Sequence, residues 1–198
     1  MTKVIGISGV SGSGKTAISS ALSEKLPDVF VVHWDAYDDL AENPTIPPAD
    51  YVEWYLRGAD YKEWKTDSLE NTLRSLKNGQ RLICPVTQKL VEPLQFIVFD
   101  SGQGYHHCQT GQCIGLSIFL DTPLDVCLCR RLMRDFSKPE GVNCGNEMIE
   151  DISFYLLHSR PLFQLPYQNR KYDYSVDGSY SIESITSQIP RGELRSLK

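Results

Sequence analysis

The chain has 198 residues, 20 of them basic and 25 acidic, for a net charge of −5, and 41% are hydrophobic. That length fits one domain of ordinary size with a real core, and the absence of a Lys/Arg-rich run argues against a nucleic-acid partner. No stretch is long enough to span a bilayer and no apolar leader opens the chain, so the six cysteines are expected as reduced thiols in a cytoplasmic protein.

Lys3 to Ser8 reads as a buried strand, followed by a glycine-rich turn and a helix from about Lys15 to Leu26 with Ile18, Leu22 and Leu26 as its apolar stripe. Val29 to His33 is a second strand. Residues 34 to 65 are irregular and rich in aromatics, too long for a mere linker. A helix is predicted with Asp67 as N-cap and Glu70 three residues on, stopped by Asn78-Gly79. Arg81 to Cys84, Gln95 to Phe99 and Leu116 to Leu120 are strand candidates. Thr122-Pro123-Leu124-Asp125 is a helix start with Thr as cap and Pro in first position, and that helix runs to about Phe136. A Pro/Gly loop follows from Ser137 to Gly145, then a helix from Asn146 to His158, a short strand at Tyr174 to Val176 and a last helix at Ile182 to Ile189. Helices alternating with short apolar strands indicate an α/β fold.

Gly9-Val10-Ser11-Gly12-Ser13-Gly14-Lys15-Thr16 matches the P-loop pattern in full. Triphosphate oxygens need donors with no bulk between them. Gly12 and Gly14 let the backbone bend so that successive N–H groups, with Gly9, Ser11 and Ser13, point inward as an anion nest. The helix that begins at Lys15 adds its N-terminal dipole. Lys15 can reach the β- and γ-phosphates, and the Thr16 hydroxyl can ligate Mg²⁺. Donor and metal are therefore expected to be ATP and Mg²⁺.

A GTPase should show a DxxG element and an NKxD-type guanine reader. Asp100-Ser101-Gly102-Gln103 fails the first, and no match to the second is present. A motor or large ATPase needs more chain. What remains is the class of small P-loop kinases, with acceptor site and lid on one domain. His106-His107-Cys108 with Cys113 has the wrong spacing for a common zinc site.

At this point the chain resembles the uridine kinase and nicotinamide riboside kinase group. Ile7–Thr16 matches the group's opening, and His33-Trp34-Asp35-Ala36-Tyr37 resembles its segment with Asp two residues before an aromatic. Val91-Glu92-Pro93 followed by Ile97-Val98-Phe99-Asp100 resembles its apolar run ending in an acid. Phe119 to Pro123 through Arg130-Arg131-Leu132-Met133-Arg134-Asp135 resembles its arginine-rich lid helix. The resemblance covers most of the length. It implies a single P-loop NTPase domain over residues 1–198, with a mostly parallel sheet flanked by helices, an acceptor insert at about 36–66 and a helical lid at about 130–146. It also implies ATP-dependent transfer of a γ-phosphate to a hydroxyl of a small molecule, most simply a nucleoside.

Site residues follow. Asp35, after the second strand, belongs at the carboxyl edge of the sheet, where it can take or orient the acceptor proton. Asp100 ends an apolar strand and is the candidate acid for Mg²⁺ with Thr16, although the family usually has Glu-Gly there and this chain has Asp-Ser-Gly. Arg130 is expected on the nucleotide, and Arg131 and Arg134 on developing phosphoryl charge. Tyr37 and Asp60 are the acceptor candidates, one for the ring and one for ribose. One departure bears on the acceptor. Pyrimidine kinases of the group continue Pro-Val with a tyrosine, an acid and a histidine, where this chain has Cys84-Pro85-Val86-Thr87-Gln88-Lys89. Uridine, nicotinamide riboside, another nucleoside or a different small alcohol stay open, as does a nucleotide-binding regulator without turnover.

Overall fold

In the computed structural model, which describes residues 2–137 and 144–189, five strands share one parallel sheet. β1 (Lys3–Ser8), β2 (Val29–His33), β5 (Phe96–Ser101), β6 (Leu116–Leu120) and β7 (Tyr174–Val176) lie in the order β2-β5-β1-β6-β7. β5 and β6 are buried at every position, as a sheet covered on both faces requires. A separate antiparallel pair, β3 (Leu82–Ile83) with β4 (Leu90–Val91), forms a short hairpin.

Two layers of helix cover the sheet. On one face α1 (Lys15–Lys25) sets Ile18 and Leu22 against Ile5, Ile7 and Val98, joined by Ile185 of α8 (Ile182–Gln188). On the other, α3 (Asp67–Lys77) presents Leu69, Leu73 and Leu76 at helical spacing to Val4, Ile97 and Phe99. Among the described residues no helix is long and apolar enough to cross a membrane.

The region expected to be irregular carries short elements. Asp35–Tyr37 is a 3₁₀ turn, α2 (Tyr51–Leu56) is capped by Asp50, whose side chain accepts from Glu53 N at 2.8 Å, and Tyr61–Glu63 is a second 3₁₀ turn. Single turns of helix leave too short a period to read from sequence. Asp67 is not the cap of α3 but its first residue, with Thr66 before it. Thr66 N and Oγ1 both donate to the side-chain oxygen of Gln109, and Gln109 donates in turn to Asp67.

Thr122 does not cap α5 (Leu124–Phe136) either; Pro123 holds that position. The Thr122 hydroxyl instead donates to Ser13 O at 3.0 Å and ties the start of α5 to the glycine-rich turn. α6 (Cys144–Phe154) does not end near His158 as expected. It continues through a π turn at Tyr155–Ser159 into α7 (Arg160–Gln168). Pro161 has no N–H to give, and the wider i→i−5 register, with Arg160 N donating to Tyr155 O, carries the chain past it. Of the expected lid, residues 138–143 lie outside the described residues.

Candidate active site

Register brings the site together. Parallel pairing aligns Ile7 and His33 with Asp100, and Ser8 with Ser101. The carboxyl ends of β1, β2 and β5 thus share one edge, the ligand-binding edge of an open α/β sheet.

The glycine-rich turn leaves β1 at that edge. Gly12 and Gly14 have φ of +85° and +103°, a region that side chains rarely adopt. At Gly12 the reason is also steric, because a Cβ there would lie 2.1 Å from the carbonyl oxygen of Cys127 in α5. Gly14 precedes α1, so the helix N-terminus opens directly behind the turn. Inside the turn the buried Ser13 hydroxyl has no hydrogen-bond partner among the described residues. The Lys15 ammonium donates to Val10 O at 3.2 Å, across the turn. Burial lowers its pKa, against the pull of the Asp100 and Asp35 carboxylates.

Asp100, at the end of β5, accepts two bonds on one oxygen. Thr16 Oγ1 donates from 2.7 Å and His33 Nδ1 lies 3.1 Å away. Burial raises the Asp100 pKa, but the His33 bond, the Lys15 charge and the Thr16 hydroxyl outweigh it and hold the carboxyl below its usual range. The bond to Asp100 raises the His33 imidazole in turn, against its own burial. A hydroxyl and an ionised carboxylate side by side, next to Lys15, form the hard oxygen pair that suits Mg²⁺.

Above this edge opens a cavity of about 890 Å³. The glycine-rich turn, Lys15 and Thr16 line one end, and Arg130 and Arg134 of α5 reach it from the side. Its apolar lining comes from Tyr51, Trp54, Tyr61 and Trp64 of the insert and from Leu162 and Phe163 of α7. Trp54, Ala59 and Leu165 form a small core that joins the two.

A family model described as an AAA domain matches residues 5–152. The uridine kinase of Borreliella burgdorferi strain ZS7 is 30% identical over 146 residues, 70% of this chain and 69% of that protein. The uridine kinase of Erwinia tasmaniensis is 31% identical over 177 residues, 81% of this chain and 78% of that one. The chain belongs to the uridine kinase-like family of P-loop kinases. This kinase also shares its fold with the shikimate kinase of Bacteroides thetaiotaomicron at a TM-score of 0.50 and 18% identity, over 98% of this chain and 99% of the other. It is a phosphotransferase acting on a small molecule.

The kinase places its sequence-predicted residues unevenly. Asp35 is exposed on the 3₁₀ turn after β2 and lines the cavity together with Lys15 and Arg134. Arg130 lies beside the turn, its Nη1 donating to Gly178 O at 2.8 Å. Three others lie off the cavity lining. Tyr37 is only 2% exposed and packs under the sheet with Trp34, Leu69 and Leu73, because the 3₁₀ turn directs it inward. Its hydroxyl faces Cys84 Sγ at 4.0 Å, and it does not line the cavity. Asp60 is an exposed cap whose carboxylate accepts from Lys62 N at 3.0 Å. Arg131 is turned away from the cavity onto Asp151. The wall from α7 had no sequence signal, since Leu162 and Phe163 look like any amphipathic helix face.

Proposed function

We propose that this kinase transfers the γ-phosphate of ATP to the 5′-hydroxyl of a nucleoside. The reading is supported by Asp35, which lines one cavity both with Lys15 of the glycine-rich turn and with the aromatic Tyr51 and Trp64 of the insert. A carboxylate there can orient an acceptor hydroxyl and take its proton as transfer proceeds. Lys15, the amides of residues 9–16, Arg130 and Arg134 balance phosphate charge. Thr16 and Asp100 would hold Mg²⁺, which supplies neutralising charge for the phosphate oxygens.

The acceptor side favours a flat, uncharged or cationic ring. The Tyr51 and Trp64 ring centroids lie 5.8 Å apart, and both rings line the cavity, which gives aromatic surface on which a base can stack. Asp35 and Asp38 line an adjoining recess with Trp34 and Thr45. Carboxylates there suit a ribose diol and repel an acidic acceptor.

Acceptor-stimulated ADP release tests this with uridine, cytidine, adenosine and nicotinamide riboside beside shikimate and gluconate. A nucleoside should stimulate release by at least about 100-fold through oriented transfer. If the best acceptor were an acid or a non-nucleoside alcohol, the proposal would be wrong.

A further inference from the structure

Arg130 and Arg134 sit one turn apart on α5 and share the face that lines the cavity. Arg131 lies about 100° round the helix from Arg130 and points elsewhere. Its guanidinium makes a fork with Asp151 of α6, with Nη1 donating to Oδ1 at 2.9 Å and Nη2 to Oδ2 at 2.6 Å. The side chains are sheltered, 15% and 28% exposed. The same guanidinium lies 5.9 Å from the ring centroid of Tyr155. Tyr155 is 5% exposed, packs edge-on against Phe163 at 5.3 Å and opens the π turn. His158 and Ser159 of that turn line the cavity, as do Phe154 before it and Phe163 beyond.

We propose that Arg131 is a positioning residue. Its fork to Asp151 fixes the rotation of α5, so that Arg130 and Arg134 face the phosphates, and its stacking on Tyr155 holds the π turn against the acceptor side of the same cavity. A two-bond planar fork resists rotation in a way that a single ammonium contact does not. A sheltered ion pair adds little net stability once desolvation is counted, so what this pair supplies is orientation. With its fork spent on Asp151 and its side chain off the cavity lining, where Arg130 and Arg134 stand, Arg131 acts on phosphate only through its neighbours. The inference rests on the phosphotransferase reaction and is independent of which acceptor is used.

The test is the ratio of affinities for a Mg-bound non-hydrolysable ATP analogue and for Mg-ADP, measured by calorimetry on the whole protein without acceptor. In Asp151→Asn and Asp151→Ala this ratio should fall about tenfold, a coupling typical of neighbouring charged pairs. Affinity for ADP should stay within about twofold of the parent, because the glycine-rich turn is untouched. The exchanged pair, Arg131→Asp with Asp151→Arg, should recover most of the loss, which also separates misplacement from unfolding. A parent-like ratio in Asp151→Ala overturns the proposal. So does a loss in Arg131→Ala that is simply additive with that of Asp151→Ala, since Arg131 would then be touching phosphate itself. A parent protein that binds neither nucleotide sinks the kinase reading rather than this pair alone.

Discussion

Thr16 Oγ1 and Asp100 Oδ2 lie 2.7 Å apart although 84 residues separate them in the chain. One is the last residue of the glycine-rich motif and the other the penultimate residue of β5; the β1–β5 register sets Asp100 beside Ile7, just before the turn that leads to Thr16. Asp100→Asn keeps the shape but removes a charge, so transfer should fall about 100-fold and the Mg²⁺ concentration for half-maximal rate should rise. A Mg²⁺ titration of the rate checks this. A variant with the parent's Mg²⁺ dependence would remove Asp100 from the proposed metal site.

Asp35→Asn should retain nucleotide affinity and lose about 100- to 1,000-fold in transfer, the usual scale for a positioned base. Single-turnover kinetics with the best acceptor separate this from slow product release. Transfer at the parent rate would place the base elsewhere.

Gly12→Ala meets two obstacles, the positive φ and the Cys127 carbonyl 2.1 Å from the new methyl carbon. Together they should cost about 3 kcal/mol of stability and abolish nucleotide binding. Denaturant unfolding and calorimetry read the two effects independently. An undisturbed Tm would show that the turn relaxes more readily than its packing implies.

Tyr37→Phe should leave acceptor affinity and turnover at parent values, because the ring is core and its hydroxyl meets Cys84 and Thr72, neither of which lines the cavity. Tyr37→Ala should lose about 3–5 kcal/mol of stability from the cavity it opens. A rise in acceptor KM for Tyr37→Phe would return the residue to the site.

Asp38 gives a pH-dependent stability. Burial, with the Asp35 and Asp39 carboxylates, raises its pKa to about 6. The folded chain therefore holds that proton more tightly than the unfolded chain does, so stability is greatest below about pH 4 and falls as pH rises toward 6. Asp38→Asn should raise stability at pH 7.5 by about 1 kcal/mol, after discounting for screening by the solvent that still reaches this partly buried carboxylate, and give no gain at pH 3.5. Thermal melts at the two pH values decide it. An equal effect at both would exclude titration of Asp38 as the cause.

What the sequence determined by itself was the local chemistry. Residues 9–16 form an anion nest because the required glycines, the lysine and the start of α1 are consecutive, and no distant contact is needed to recognise them. The strand–turn–helix order and the apolar runs of a doubly covered parallel sheet are legible for the same reason: each is a short-range pattern. Tertiary structure decided what depends on direction. Arg130, Arg131 and Arg134 are equivalent in sequence, and only the packing of α6 on α5 assigns Arg131 to Asp151 and leaves the other two to the cavity. Tyr37 and Asp35 are two residues apart, yet the 3₁₀ turn sends one into the core and the other to the solvent edge. The aromatic and α7 walls meet across more than 90 residues, a distance over which composition and periodicity carry no information about which faces will touch.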